Sequence, residues 1–309
     1  ILDAVTGDHP AALWRYDGHM LIANSRALAL ADITATSADP PGGVIVRDAA
    51  GQPTGALKDA ATPLLERVIP APTPAQRRRS IERALQEAAA HGVTSLQFMS
   101  NGHAETIDYA IINTLAELLA EGKLTARIYV APEIATVEDQ ARLGTGRAFG
   151  GPLLRIGALK AYADGSLGSR TAYFFEPFDD QPDNRGLLSD DMQPLAKIRD
   201  WMLRADAAGL QLCTHAIGDA GIAATLDLYQ DIEAAHGRRD RRWRIEHAQH
   251  MAARDFDRFA ALGVIASVQP YHAIDDGRWA EARIGHDRAS RTYAFRTFLD
   301  HGVRLALGT

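Results

Sequence analysis

Short apolar runs alternate with longer amphipathic stretches over most of the chain. From about residue 73 the runs are typical of buried strands, and the stretches between them carry apolar positions at helical spacing. The predicted strands are 92–98, 126–130, 154–160, 210–215, 243–247, 264–269 and 303–307. The predicted helices are 74–90, 104–121, 135–143, 190–208, 218–236, 252–262 and 289–301. This alternation predicts a parallel sheet with right-handed crossovers.

The predicted fold class is α/β, a TIM-like (β/α)8 barrel. Only seven strands are found where a closed barrel needs eight, so we expect the barrel to be incomplete, with its first strand missing. The first part of the chain differs, with a strand, a helix and a hairpin at 11–16, 23–31 and 44–58. We therefore interpret 1–72 as an insertion or cap segment beside the barrel, and 73–309 as strands 2 to 8.

Composition narrows the function classes. The 309 residues are 46% hydrophobic and 23% charged with a formal charge of −6, which is typical of a globular domain and gives no basic excess for nucleic acid. No apolar run is long enough for a membrane helix. We expect a cytoplasmic protein, although the sequence has no segment from which its compartment can be read, and a homo-oligomer stays open. Cys213 is the single cysteine and lies mid-strand, so we expect a buried residue and neither a disulfide nor a cysteine-rich zinc site.

Three predicted strands end in residues that can serve a metal site. Lys160, His215 and His247 each follow an apolar strand. In a parallel barrel the carboxyl ends of all strands gather at one rim, where active sites lie. Imidazole is a common ligand for zinc-like ions, so these three residues are the predicted metal ligands and catalytic groups. Glu246 precedes His247 and is expected to point the opposite way, packed or paired behind the site.

Lys160 has three interpretations. The first is a buried ion pair, for example with Asp164, because a lysine at the end of an apolar strand needs a partner. Alternatively, carbon dioxide converts it to a carbamate that bridges two divalent metals. The third interpretation is a neutral lysine for Schiff-base chemistry. The two histidines expected nearby favour the metal interpretation.

Polar residues that follow other predicted strands are candidates for substrate contact. The glycine-rich loop 163–171 follows Lys160 directly, and its Arg170 is expected either to clamp a carboxylate or carbonyl group or to belong to a structural turn. His19 and His272 follow two further strand-like segments. Either histidine is placed to donate a hydrogen bond to a substrate oxygen.

Several motifs in order resemble a known family. They are Asp17-Gly-His19 with Asn24-Ser25, Ala158-Leu-Lys-Ala-Tyr-Ala-Asp-Gly-Ser-Leu-Gly-Ser-Arg-Thr171, Thr214-His-Ala-Ile-Gly-Asp219, Arg244-Ile-Glu-His-Ala-Gln249 and Ser267-Val-Gln-Pro270. These blocks resemble the amidohydrolase superfamily. More narrowly, they are similar to the amidohydrolase-3 branch that includes N-substituted formamide deformylases. The resemblance extends over essentially the whole chain.

The resemblance implies a barrel in which one or two metal ions activate water for attack on an amide-like carbon. By motif, Lys160 as a carbamate, His215 and His247 take the ligand positions of the family's fourth, fifth and sixth strands. Two features of the family differ here. No His-x-His pair occurs, and the last strand ends at Gly308-Thr309, before the family's aspartate. We therefore expect the central part of a longer enzyme, lacking both ends, that binds metal weakly by itself.

The predicted function is a metal-dependent hydrolase that cleaves a C–N bond in a small-molecule amide, formamide or cyclic amide. Its expected cofactors are one or two divalent ions, zinc first, and carbon dioxide as the carbamate of Lys160. Neither nucleic acid nor a membrane is expected as a partner. The alternatives are a non-catalytic ligand-binding barrel of the same fold and a Schiff-base lyase.

Overall fold

The computed structural model describes residues 2–100, 105–147 and 149–308. The start of the predicted helix at 104 and the chain end at Thr309 lie outside them. The strands are β1 (Ala12–Trp14), β2 (Met20–Ala23), β3 (Gly43–Arg47), β4 (Pro53–Asp59), β5 (Ser95–Met99), β6 (Arg127–Ala131), β7 (Phe149–Gly150), β8 (Leu154–Ile156), β9 (Ala158–Tyr162), β10 (Gln211–Ala216), β11 (Arg244–His247), β12 (Ile265–Val268) and β13 (Arg304–Leu307).

The helices lie mostly where the periodicity predicts them. They are α1 (Leu2–Thr6), α2 (Ser25–Leu30), α3 (Pro63–Glu66), α4 (Pro74–Ala90), α5 (Glu105–Ala120), α6 (Val137–Arg142), α7 (Leu195–Ala207), α8 (Asp219–His236), α9 (Asp255–Leu262), α10 (Pro270–Asp276), α11 (Ala280–Ala289) and α12 (Phe295–Asp300). The pattern missed four short helices, which are α1, α3, α10 and α11. In the described ranges, no helix has both the length and the apolar character needed to cross a membrane.

The N-terminal strands form an antiparallel sheet in the order β1-β2-β4-β3. The predicted hairpin is present, since Val44 pairs with Lys58 and Ile45 with Leu57. The sheet has a small core of its own around Leu21 and Leu57, both fully buried. A boundary at residue 72 stays a prediction.

All seven predicted parallel strands are present, but one of them is divided. Strand 154–160 breaks at Gly157 into β8, which pairs with β6, and β9, which pairs with β10. A Cβ atom at Gly157 would lie 2.5 Å from the carbonyl oxygen of Gly146, so only glycine permits this close approach. The sheet β5-β6-β8-β7 and the sheet β9-β10-β11-β12-β13 are therefore joined through one chain segment.

The α/β fold is as predicted, whereas a complete barrel is not formed. Within the described ranges, no ladder of hydrogen bonds joins β5 to β13. A cavity of about 940 Å³ opens between the inner faces of β5, β6, β11, β12 and β13. The largest apolar core lies on the other face of β9–β13, where residues such as Leu212 and Ile245 pack against Phe259 and Phe298.

Candidate active site

Three neighbouring strands carry Lys160, His215 and His247: Lys160 lies in the middle of β9, two residues before its predicted place at the strand end, whereas His215 and His247 lie near the ends of β10 and β11. The three strands are adjacent and parallel, with Cys213 beside Lys160 and Ala216 beside His247. The imidazole rings of His215 and His247 meet edge to face with centroids 4.7 Å apart. Lys160 and His215 are both buried. His247 is partly buried, so the structure places the three predicted ligands on adjacent strands in a largely buried group.

The backbone at His247 departs from ordinary strand alternation. Glu246 pairs in register with His215 and lines the interior cavity, so a regular strand would turn His247 to the other face. Instead, His247 and Ala248 have φ angles of 73° and 42°, and the ring of His247 turns back onto His215. Glu246 is buried and paired as expected, with its carboxylate 2.9 Å from the Nε of Arg244, but it lies on the same inner face of the sheet as His215.

Hydrogen bonds fix which nitrogen of each histidine is free. The Nδ1 of His247 lies 2.7 Å from the amide oxygen of Gln269 and donates to it, which leaves Nε2 with the lone pair. The Nε2 of His215 donates to the carbonyl oxygen of Gly165 at 3.0 Å, which leaves Nδ1 with the lone pair. Burial, with the nearby charge of Lys160, lowers the pKa of His247 to about 3. Burial also lowers the pKa of His215 well below its usual value, so both rings are neutral at pH 7.

The ammonium group of Lys160 lies against an aromatic ring. Its Nζ is 4.4 Å from the centroid of the Tyr162 ring. Burial lowers the pKa of Lys160 to about 8, although the charge of Glu246 opposes this shift. A lysine with this pKa exposes a substantial fraction of neutral amine near pH 8, which is the nucleophilic form.

Asp164 serves the backbone rather than Lys160. Its Oδ1 accepts the N–H of Ile217 at 2.9 Å, and its Oδ2 accepts the N–H groups of Tyr173 and Gly218, both at 2.8 Å. Among the residues described, no ion pair joins it to Lys160. Asp164 therefore ties the loop after β9 to the segment after β10, which fits the structural interpretation of that loop.

His19 reaches the group from the N-terminal sheet. Its ring centroid lies 4.8 Å from that of His215, and its Nδ1 is 2.7 Å from the Oδ1 of Asp59. Burial lowers the pKa of His19, but the hydrogen bond and charge of Asp59 raise it by more. The sequence analysis missed Asp59, because a partner forty positions away in a different strand leaves no local signal.

His272 and Arg170 lie in different surroundings. His272, in the first turn of α10, stacks on His247 with centroids 5.9 Å apart. Arg170 has a φ of 58°, and its guanidinium donates to Asp180 at 2.7 Å. The structure thus brings His272 beside the predicted ligands, whereas Arg170 is engaged by a carboxylate of its own loop region.

The donors fit a divalent metal as a partial ligand set. Two neutral imidazoles with free nitrogens face each other, and Lys160 lies close enough to lower their pKa values. No cluster of three or more His, Cys, Asp or Glu side chains suited to a metal occurs in residues 2–100, 105–147 and 149–308. Catalytic zinc usually has three protein ligands, whereas these two imidazoles offer two donors.

Comparisons with known proteins agree on one family. The pattern that defines the amidohydrolase family matches residues 1–309. "Protein LONG AFTER FAR-RED 3" of Arabidopsis thaliana is 36% identical over an alignment of 315 positions, which covers 100% of this chain and 53% of that protein. The N-substituted formamide deformylase of Arthrobacter pascens is 28% identical over an alignment of 320 positions, which covers 100% of this chain and 57% of that protein.

A solved structure is similar over the whole length of this chain. An uncharacterized metal-dependent hydrolase from Pyrococcus furiosus superposes with a TM-score of 0.74 at 29% identity, over 100% of this chain and 60% of that one. The chain thus spans between 53% and 60% of the length of these three proteins. Because the family pattern and both curated relatives align along the entire sequence, the chain belongs to the amidohydrolase family.

Proposed function

We propose that this chain supplies the metal-holding and substrate-facing part of a hydrolase that cleaves a C–N bond in an amide, formamide or cyclic amide. The observation that carries the proposal is the pair of neutral imidazoles of His215 and His247, whose ring centroids lie 4.7 Å apart on adjacent strands, with Lys160 on the next strand. The deformylase of Arthrobacter pascens supports the bond type, and the hydrolase of Pyrococcus furiosus supports the need for metal.

The free nitrogens of the histidines are the proposed metal donors. His215 offers Nδ1 and His247 offers Nε2, because their other nitrogens are engaged by Gly165 and Gln269. Nitrogen and carboxylate-like ligands suit zinc first among divalent ions, with one or two ions per site. Such an ion, when bound, acidifies water and polarises a carbonyl group.

Lys160 is proposed to complete the ligand set as a carbamate. Its neutral Nζ forms a bond to the carbon of carbon dioxide and loses a proton to solvent, which converts a cation into an anionic oxygen donor. The lowered pKa, about 8, makes the neutral amine available for this step. Because Lys160 is buried within β9, the modified form is favoured only when a cation compensates its charge.

The proposed substrate contacts surround these ligands. His19 is held by Asp59 through Nδ1, so its Nε2 is free to hydrogen-bond a substrate oxygen. His272 lies beyond His247 and is the second proposed contact. Arg170 is the third, and it must leave Asp180 to bind a carboxylate or carbonyl group.

Hydrolysis by the full-length protein tests the proposal. A panel of N-substituted formamides, linear amides and cyclic amides is assayed with zinc and bicarbonate for the native protein, Lys160→Ala and His215→Ala. Both variants are expected to lose hydrolysis, whereas His286→Ala, which removes an exposed histidine, retains it. Intact hydrolysis in both site variants would sink the proposal. Reductive trapping of Lys160 with a carbonyl substrate would instead indicate the Schiff-base lyase.

A further inference from the structure

A chain of three buried hydroxyl groups lies inside the loop 163–171. The hydroxyl groups belong to Ser166, Ser169 and Thr171. Thr171 Oγ1 lies 2.6 Å from Ser169 Oγ, and Ser169 Oγ lies 2.8 Å from Ser166 Oγ. Ser166 Oγ in turn donates to Oδ2 of Asp17 at 2.9 Å. We call these three residues the hydroxyl chain.

The carboxylate at the end of the hydroxyl chain sets the direction of its hydrogen bonds. A carboxylate only accepts hydrogen bonds, so the Ser166 proton points to Asp17. The Ser169 proton then fits Ser166 Oγ, which is nearer than the Ser166 carbonyl oxygen at 3.3 Å. Thr171 therefore donates to Ser169 Oγ, and a lone pair of its Oγ1 accepts the N–H of Ser166 at 3.1 Å.

The peptide group between Gly165 and Ser166 joins the hydroxyl chain to the candidate active site. Its N–H donates to Thr171 Oγ1, and its carbonyl oxygen accepts the Nε2 hydrogen of His215 at 3.0 Å. A trans peptide group is planar, with N–H and C=O in opposite directions, so a contact that holds one end also orients the other. An N–H that donates also polarises the group and strengthens the bond that its carbonyl oxygen accepts.

The surrounding contacts restrict this peptide group further. The N–H of Gly165 donates to the carbonyl oxygen of Thr171 at 3.2 Å, and the N–H of Thr171 donates to that of Ser166 at 3.1 Å. A Cβ atom at Gly165 would clash with the Thr171 hydroxyl, so the two residues pack directly on each other. Oδ1 of Asp164 lies farther from Nε2 of His215, at 3.5 Å, and already accepts a backbone N–H. The Gly165 carbonyl oxygen is therefore the acceptor that orients the His215 ring.

We propose that Thr171 is a positioning residue of the hydrolytic site. Through the peptide group of Gly165, it keeps the proton of His215 on Nε2 and the lone pair on Nδ1, the proposed metal donor. This proposal rests on the proposed hydrolytic function, although the tautomer of His215 is observable without metal or substrate. When the Thr171 hydroxyl is removed, the peptide group loses its anchor, and the proton of His215 is free to move to Nδ1.

A substitution that keeps the shape of the side chain tests the proposal in the full-length protein. Thr171→Val removes the hydroxyl, whereas Thr171→Ser keeps it. We expect Thr171→Val to weaken zinc affinity about 10- to 100-fold in a competition titration with a chelator, and Thr171→Ser to bind zinc like the native protein. Thr114→Val deletes another buried hydroxyl, in α5, and should also bind zinc like the native protein. Equal zinc affinities in Thr171→Val and Thr114→Val would overturn the proposal.

A milder variant keeps the test decisive if Thr171→Val does not fold. Ser169→Ala leaves Thr171 in place but removes the acceptor of its proton, so the Thr171 hydroxyl can rotate away from the N–H of Ser166. We expect zinc affinity to fall about threefold to tenfold, as for the loss of one neutral hydrogen bond. Native affinity in Ser169→Ala would then refute the role of the hydroxyl chain.

The ¹⁵N spectrum of the metal-free protein separates this proposal from the hydrolytic one. The His215 signals are assigned by their absence from His215→Asn. They should show a proton on Nε2 in the native protein and in Thr171→Ser, and a larger share of the Nδ1 form in Thr171→Val. If this difference is seen but the native protein neither binds zinc nor hydrolyses an amide, the positioning of His215 stands and the hydrolytic function fails. If amides are hydrolysed but the His215 signals are the same in all three proteins, the positioning proposal fails alone.

Discussion

Loss of the buried carboxylate of Asp206 should strongly destabilise the protein. Asp206 lies near the end of α7 and accepts hydrogen bonds from Arg241 Nε at 2.7 Å and His236 Nδ1 at 2.8 Å. Arg239 also lies 2.8 Å from its Oδ2. These contacts of Asp206 anchor the segment between α8 and β11, and β11 is the strand that carries His247. The side chains of Asp206 and Arg241 are only 2% and 5% exposed.

The expected magnitude follows from the charge left behind. Asp206→Ala leaves the guanidinium of Arg241 buried without its partner, which costs about 3–5 kcal/mol. Asp206→Asn keeps an acceptor and loses the charge, so we expect about 1–2 kcal/mol. A loss of about 3 kcal/mol shifts the urea midpoint by roughly 1 M for an m-value near 3 kcal/mol/M.

Urea unfolding followed by tryptophan fluorescence measures the effect. Trp243 reports on the region directly, since the Arg241 guanidinium lies 4.7 Å from its ring centroid. Asp183→Ala, an exposed control, should stay within about 0.5 kcal/mol of the native protein. If Asp206→Ala unfolded at the same urea concentration as this control, the reasoning about the buried charge would be refuted.

Three further changes have defined outcomes. Gln269→Leu removes the acceptor that fixes Nδ1 of His247 and should weaken metal affinity about 10- to 100-fold in a competition titration with a chelator; an unchanged affinity would contradict the proposed tautomer. Gly157→Ala places a methyl group 2.5 Å from the Gly146 carbonyl oxygen and should lower the free energy of unfolding in urea by about 1–3 kcal/mol. An unchanged free energy of unfolding would show that the close approach at Gly157 is not required. Burial raises the pKa of Asp206, but its hydrogen bonds with basic side chains lower it by more, so the pKa is net depressed. The stabilisation by the Asp206 carboxylate should therefore be complete above about pH 4 and decline as the pH falls through the folded-state pKa. The difference between the urea midpoints of the native protein and Asp206→Asn should narrow in acid, and a constant difference would contradict this explanation.

The sequence predicted the parts of the site that depend on strand periodicity. His215 and His247 lie near the ends of apolar strands and Lys160 within one, and parallel pairing brings such strands side by side whatever their separation along the chain. The same reasoning predicted the hairpin of β3 and β4 and most helices. Patterns of this kind are visible because burial repeats at the period of the element.

Other features depend on contacts that no local pattern records. The partner of His19 is Asp59, forty residues later, and the partner of His247 is Gln269 on the next strand. The division of one predicted strand at Gly157 follows from packing against a distant loop. The positive φ of His247 is unusual for a residue other than glycine, and it overrides the alternation that the sequence suggests.

The metal content of the full-length protein tests the central claim most directly. The protein would be purified without chelators and measured by plasma mass spectrometry, with and without added zinc and bicarbonate. The account predicts about one to two equivalents of a divalent ion, zinc first, falling sharply in His215→Ala and His247→Ala but not in His286→Ala. Metal-free protein after zinc and bicarbonate are supplied, or equal metal content in all three variants, would contradict the account and favour a non-catalytic binding barrel.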